Sequence, residues 1–284
     1  MTSTIALLGH PVSHSISPRF QQAALDALGI DARYEAWDTP PEDLPSALER
    51  LRSRDLLGAN VTVPLKQEAL RLIDRPDALA ERIGAVNTIV NAGGVLEATN
   101  TDVAGVLRSL EDGGVDLAGA NVVLIGAGGA ARAIVVAMRE GGAARVTIAN
   151  RTAERARALA PLGGEDLELR VIPLDHASEQ LRAAMQSARL VVQATSLGMR
   201  DGPDEDASPL PAELFHAGQA AFDIVYVPEQ TPFLRAARQG GALPLGGLSM
   251  LVHQGAESFR RWTGQPPPLD VMFDAARAAL DETS

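Results

Sequence analysis

The stretch "ANVVLIGAGGAARAIVVAMREGGAARVTIANRT", from Ala120 to Thr152, constrains the fold more than any other part of the chain. It reads as an apolar strand, a glycine turn, a helix of 3.6-residue periodicity and a second apolar strand. A strand–helix–strand unit of this length is the building block of a parallel sheet. Within the turn, Gly126, Gly128 and Ala131 match G-x-G-x-x-A at the place where the fingerprint needs to sit. Gly126 permits the tight turn, Gly128 lets backbone approach a pyrophosphate, and Ala131 lets the helix pack closely on the sheet. Gly126, Ala127, Gly128, Gly129, Ala130 and Ala131 are therefore the expected phosphate cradle, at a helix N-terminus with free N–H groups. Glycine-rich turns also serve packing alone, but the strand before and the helix after favour dinucleotide binding.

The tip of the second strand bears on which dinucleotide. An NAD site usually carries an acid about 20 residues on, bonded to the ribose 2′-hydroxyl. Here the sequence is "IANRTAERAR", with Asn150, Arg151 and Thr152 at the tip and Arg155 one helical turn further. Two guanidiniums and a hydroxyl suit a 2′-phosphate, which arginine grips in bidentate fashion. The plain alternative is that Thr152 caps the helix and the arginines are solvated. NADP is the expected cofactor.

Elsewhere short apolar strands alternate with amphipathic helices, the pattern of an α/β protein with parallel sheets. "TIALLG" reads as a strand, and Ser17-Pro18 opens a helix with Ser17 as N-cap. "ARYEAW" and "GANVTV" read as strands, the second halted by Pro64, with the helix "EDLPSALERLRS" between them. In "AVNTIVNAGGVLEATN", Gly93-Gly94 is the expected hairpin turn. After the Rossmann unit come "LELRVI", "ARLVVQATS" and "AAFDIVYV", and beyond about residue 240 two helices without intervening strands. The expected division is a substrate-binding and catalytic domain over 1–101, a dinucleotide domain over 102–240, and C-terminal helices over 241–284 that return to the first domain.

The 284 residues are 46% hydrophobic and 21% charged, the profile of a globular protein with a sizeable core. A net charge of −11 argues against nucleic acid or an anionic membrane as partner, so anionic ligands must be held by local donors. The N-terminus lacks a basic region and a long apolar run, and no segment reaches the ~18 apolar residues of a membrane span, so neither a signal peptide nor a membrane helix is expected. With no cysteine there are no disulfides, which fits a cytoplasmic location. The five histidines show no ligand-like spacing, so no metal is expected. His14 is expected to pack its own loop.

Of 25 cationic side chains, 24 are arginine; the single lysine is Lys66. Arginine stays protonated in proteins, whereas lysine can give up and accept a proton. Lys66 follows "NVTVP", one of four polar stretches, with "HPVSHSISP", "GAVNT" and "NTD", at predicted strand ends or turns. Together with the Rossmann unit, these stretches resemble the shikimate dehydrogenases, in the right order from residue 5 to about residue 260. The resemblance implies an N-terminal substrate domain, a Rossmann domain for NADP, a site in the cleft between them, and reversible reduction of 3-dehydroshikimate to shikimate.

Carried over by residue, it implies carboxylate binding by Ser15 and Ser17, and ring-hydroxyl binding by Thr62, Asn87 and Asp102. Lys66 and Asp102 become the acid–base pair, Tyr226 and Gln254 further substrate contacts, and Thr195, Ile224 and Gly247 parts of the nicotinamide side. Read without the resemblance, Ser17 is an N-cap, Asn87 a turn residue, Asp102 a helix-start acid, Tyr226 a core aromatic and Gln254 a solvated helix residue. Two positions depart from the pattern: Gln193 replaces a usual Asn, and Ala98 a common glycine. Alternatives are a quinate/shikimate dehydrogenase with relaxed substrate or cofactor choice, and a non-catalytic dinucleotide sensor, which has no use for both Lys66 and Asp102. The expected partner is a small molecule, shikimate or 3-dehydroshikimate, with a homodimer left open.

Overall fold

The computed structural model describes residues 2–283, which fall into two compact units. Unit 1 comprises Met1–Gly105 and Val252–Ser284; unit 2 is the intervening Val106–Leu251. Among the described residues no helix is long and apolar enough to cross a membrane.

Unit 1 begins with β1 (Ser3–Gly9), α1 (Ser17–Ala27), β2 (Ala32–Asp38), α2 (Leu44–Arg50) and β3 (Leu56–Val61). There follow α3 (Lys66–Leu72), the short β4 (Arg75–Pro76), α4 (Ala78–Ile83), β5 (Thr88–Ala92) and β6 (Val95–Thr99). The strands form one mixed sheet in the order β2-β1-β3-β5-β6-β4. The first three are parallel, as helical crossovers require, while β5 pairs antiparallel with β3 and β6. Gly93 and Gly94 make the hairpin turn between β5 and β6, as the sequence pattern predicts. Alternation along β1 sends Ala6 and Leu8 to a core with Leu44 and Leu48 of α2, Leu65 just before α3 and Ala69 within it.

Two expectations from the sequence fail locally. The helix α1 starts at Ser17, and Ile16 rather than Ser17 occupies the N-cap position, with no side-chain cap bond. The strand β3 stops at Val61, two residues short of the predicted end, because the chain folds back on itself once Leu65 N–H donates to the Thr62 carbonyl at 2.9 Å.

The helix α5 (Asp102–Asp112) leads from unit 1 into unit 2. Unit 2 contains β7 (Asn121–Ile125), α6 (Gly129–Glu140), β8 (Arg145–Asn150), α7 (Ala153–Arg157), β9 (Glu168–Pro173) and α8 (Glu179–Ser187). It continues with β10 (Leu190–Gln193), β11 (Ala220–Asp223), α9 (Pro232–Gln239) and β12 (Leu243–Leu245). All five strand pairings are parallel, in the order β12-β11-β10-β7-β8-β9. Read from the other edge, this is the 3-2-1-4-5-6 order of the doubly wound dinucleotide fold, whose switch point lies between β7 and β10. The sequence pattern does not mark β12 as a strand, since three residues around Pro244 are too few to show alternation; the edge position accommodates the proline.

The chain returns to unit 1 along α10 (Leu248–Thr263) and closes with α11 (Leu269–Thr283), which packs on α1. Within unit 1, Trp262 of α10 donates its indole N–H to the Ile89 carbonyl of β5 at 2.8 Å, and Phe259 is fully buried. Burying a phenylalanine stabilises by up to about 3 kcal/mol, so α10 is an integral part of the core.

Candidate active site

Three strand or turn ends of unit 1 bring the polar residues together. Beyond β3 the chain makes one turn and starts α3 at Lys66. Asn87 immediately precedes β5, and Asp102 opens α5, where the helix dipole favours an acid. Lys66 Nζ lies 2.6 Å from Asp102 Oδ2, and their side chains are 23% and 8% exposed. The ammonium is therefore partly open to a ligand while its carboxylate partner is held inside. Asn87 Nδ2 donates to the other carboxylate oxygen, Asp102 Oδ1, at 2.8 Å, and to Gln254 Oε1 at 3.3 Å.

The orientation of the Asn87 amide is fixed from behind. Its Oδ1 accepts from the Thr101 N–H at 2.7 Å, the Thr101 hydroxyl at 3.1 Å and the Thr88 hydroxyl at 2.9 Å. A flipped amide would turn its oxygen to the carboxylate and its NH2 to the Thr101 N–H, setting acceptor against acceptor and donor against donor. Behind the threonines, Ser258 of α10 and Asn60 of β3 continue the network, and Tyr34 donates its hydroxyl to Asn60 Oδ1 at 2.7 Å. Burial pushes the Tyr34 phenol well up, so it stays a neutral donor. Asn60, Thr88, Ser258 and Tyr34 escape a reading of the sequence. The available signals are Asn60 as a lone amide in an otherwise apolar strand and Ser258 one helical turn beyond Gln254.

Of the remaining substrate-side candidates, Ser15 and Ser17 meet each other: Ser15 Oγ accepts the Ser17 N–H at 3.3 Å. Thr62 sits between β3 and α3, its N–H on the Leu8 carbonyl at 2.8 Å. Among the described residues no side-chain hydrogen bond ties Ser15, Ser17 or Thr62 to the Lys66 group. His14 is exposed to solvent, which corrects the expectation that it packs its loop. Ala98 is an ordinary buried strand residue paired with Ile89, and nothing at it requires glycine. Among the described residues no group of three or more His, Asp or Glu is placed to hold a metal ion.

In unit 2 the glycine turn follows β7. Gly126 has φ +104°, and a Cβ there would stand 2.8 Å from Thr195 Cγ2 and 2.9 Å from the Ala194 carbonyl oxygen. Both the backbone angle and the close approach to the β10 loop demand glycine. Gly128 is the N-cap of α6, and a Cβ on Gly128 or Gly129 would meet nothing within 4 Å. That open space lies at the helix N-terminus, flanked by the partly exposed Ala127 and Ala130, while Ala131 is fully buried against the sheet. The residues thus fit a pyrophosphate.

At the end of β8, Asn150 Nδ2 donates to the Thr152 carbonyl at 2.8 Å and shapes the corner. Thr152 occupies the N-cap of α7 but makes no side-chain cap bond, leaving its hydroxyl available. Arg151 and Arg155 are exposed and form no ion pair or hydrogen bond among the described residues, whereas Arg157 beside them pairs with Glu154. No carboxylate stands at the strand tip, which reads Asn150-Arg151-Thr152.

Gln193, fully buried at the end of β10, accepts the Thr195 N–H at 2.7 Å and donates to the carbonyls of Thr195 and Leu197 at 3.3 and 3.0 Å. The longer amide thus supplies the backbone-orienting bonds that its departure from the family pattern put in question. Gly247 lies flat against Ile224, where a Cβ would come within 2.4 Å of the Ile224 carbonyl oxygen. Tyr226 follows two residues on; burial pushes its phenol up.

Comparison with known proteins gives one consistent answer. Residues 7–89 match the shikimate dehydrogenase substrate binding domain, residues 109–198 the shikimate / quinate 5-dehydrogenase domain, and residues 247–277 the shikimate 5′-dehydrogenase C-terminal domain. The chain is 46% identical to the shikimate dehydrogenase (NADP(+)) of Symbiobacterium thermophilum, over 98% of this chain and 94% of that protein. A crystal structure of shikimate 5-dehydrogenase from Thermus thermophilus, in complex with NADP(H) and shikimate, superimposes with a TM-score of 0.87 at 47% identity, covering 98% of this chain and 100% of that one. Quinate dehydrogenase from Corynebacterium glutamicum in complex with NAD gives a TM-score of 0.88 at 29% identity, covering 98% and 99%.

Proposed function

The chain belongs to the shikimate dehydrogenase family, and from that premise we propose that it catalyses the reversible NADP-linked reduction of 3-dehydroshikimate to shikimate. The observation that carries this reading is the Lys66–Asp102 contact at 2.6 Å, with the carboxylate's second oxygen occupied by Asn87. Reducing a ring ketone leaves negative charge on its oxygen, which must be stabilised and protonated. In its ammonium form Lys66 supplies both, and Asp102 keeps Nζ in place between turnovers. Arginine at the same position would stabilise the charge but not release a proton. In the reverse direction Lys66 Nζ takes the hydroxyl proton of shikimate.

NADP, when bound, supplies or accepts the hydride. We assign Gly126, Ala127, Gly128, Gly129, Ala130 and Ala131 to its pyrophosphate, and Asn150, Arg151, Thr152 and Arg155 to its 2′-phosphate. The unpaired state of Arg151 and Arg155 supports this, since an arginine already engaged by a carboxylate has fewer N–H groups to offer. Thr195, Ile224 and Gly247 are assigned to the nicotinamide side. Asn87, Thr62, Tyr226 and Gln254 are assigned to the substrate's hydroxyls and ring, and Ser15 and Ser17 to its carboxylate, which neutral hydroxyls can hold without a buried countercharge. We also infer a cytoplasmic enzyme, consistent with a chain that lacks cysteine.

The test is absorbance at 340 nm with shikimate or quinate, each paired with NADP or NAD. Reduction confined mainly to shikimate with NADP supports the assignment. Activity chiefly with quinate or NAD moves the chain to the quinate branch of the family, and none in any pairing leaves a dinucleotide-binding protein without this catalysis. Size-exclusion chromatography with light scattering separates a monomer from a homodimer.

A further inference from the structure

We propose that Asp223 is a positioning residue: its buried carboxylate clamps both ends of the loop 224–231 and thereby sets where Ile224 and Tyr226 stand. The role rests on the assignment of those two residues to ligand contact.

Asp223 is the last residue of β11, paired in register with Gln193 of β10, and is 0% exposed. Its Oδ1 accepts the Val225 N–H at 3.0 Å, and its Oδ2 accepts the Thr231 hydroxyl at 2.6 Å. Thr231 is itself buried and caps α9, with Oγ1 accepting the Leu234 N–H at 3.2 Å. One carboxylate therefore ties the second residue after the strand to the residue just before the helix. The intervening segment leaves the sheet as soon as the first bond forms.

Besides this clamp, the main chain of the segment is held by the Ile224 N–H on the Gln193 carbonyl at 3.1 Å, the Gly247 N–H on the Val225 carbonyl at 3.3 Å, the Arg200 N–H on the Val227 carbonyl at 2.9 Å and Arg235 Nη1 on the Gln230 carbonyl at 2.6 Å; Asp223 is the group that joins its two ends. Glu229 and Gln230 are exposed. Packing alone gives no reason for an acid at the end of β11, where the neighbouring positions of the sheet are Ala221 and Phe222, both fully buried. Burying a carboxyl has a cost: desolvation pushes Asp223 up to about 7, although the Thr231 and Val225 donors work against it. A group held at such cost, with both oxygens spent on the two ends of one loop, acts through the shape it gives that loop. Gln193 does the same for residues 195–197 on the adjacent strand, so two neighbouring loops are each shaped by the last side chain of their strand.

Asp223→Asn separates positioning from bulk. The amide oxygen can still accept the Val225 N–H, but the NH2 faces a Thr231 hydroxyl that has lost its acceptor. We expect KM for both NADP and shikimate to rise about tenfold, below the ~100-fold that an ångström of misplacement can bring. NADP affinity measured by fluorescence should weaken in parallel, with the thermal midpoint at pH 8 retained. Thr231→Val, which removes one arm of the clamp, should shift both KM values the same way, and Thr231→Ser should restore them. This pair decides the matter if Asp223→Asn does not fold. Unchanged KM values beside an active wild type, whatever happens to the melting temperature, would reduce Asp223 to a structural residue. An inactive wild type would overturn the shikimate reading itself, and the positioning role with it.

Discussion

Lys66 is the only lysine beside 24 arginines, and so the one Lys/Arg side chain that can hand over a proton; the structure places it against the buried Asp102. Lys66→Arg should keep substrate affinity and lower turnover by roughly 100-fold or more, read from steady-state kinetics with shikimate and NADP. A near-normal turnover number would remove Lys66 from proton transfer. A second residue-scale prediction concerns pH. Asp223 holds its proton more tightly folded than unfolded, so the native state binds more protons between about pH 4 and about pH 7. Stability contributed by the protonated form is complete at the acid end of that window and falls as pH rises through it, by on the order of 4 kcal/mol. Asp223→Asn removes this dependence. Calorimetry should find the variant gaining on wild type from pH 5 to pH 8; a difference independent of pH would contradict the argument.

Elements differ in how far the sequence announces them. The Gly126 turn and the Gly93-Gly94 hairpin are legible because local chemistry favours glycine at both: each has positive φ, and at Gly126 a close backbone approach as well. "ARLVVQATS" and "AAFDIVYV" instead look like long strands, and only Leu190–Gln193 and Ala220–Asp223 are paired. The apolar pattern runs on, but Gln193 and Asp223 capture the backbone N–H two residues ahead and turn the chain off the sheet. Such capture depends on which way a buried polar side chain points, which periodicity does not reveal. The same limit hides Asn60 and Ser258: each is an ordinary polar residue until strand and helix bring them within 3.0 Å. The corner between β8 and α7 is the element where prediction is sharpest. Replacing both Arg151 and Arg155 with Ala should raise KM for NADP by about 100-fold, as expected for losing charge-assisted bonds, and leave NAD within about threefold. Equal losses for the two cofactors would defeat the 2′-phosphate assignment.

At the scale of the whole molecule, a net charge of −11 means that the two anionic ligands of the proposed function would, on the assignments made above, be held against the overall field by hydroxyls, a helix N-terminus and the two arginines Arg151 and Arg155. The same scale governs stability. Ending the chain after Leu251 removes Phe259, Trp262, Met272 and the rest of the buried α10–α11 face from unit 1. At up to ~3 kcal/mol for each large side chain, the loss is comparable to the ~5–15 kcal/mol by which a domain is stable. Hydrogen exchange should find residues 1–105 of the truncated chain unprotected while the strands of unit 2 stay protected. Protection throughout both segments would show that unit 1 does not need its C-terminal helices.

The interrupted course of unit 1 also orders events at the ribosome. Unit 2 is one continuous run, Val106–Leu251, and can finish folding as it emerges, whereas the first 105 residues must wait for the last 33. The half of the protein made first is completed last. Until then unit 1 lacks α11 and most of α10, so nascent chains stalled before residue 252 expose the apolar surface these helices cover, and it is to this window in synthesis that chaperone demand is assigned.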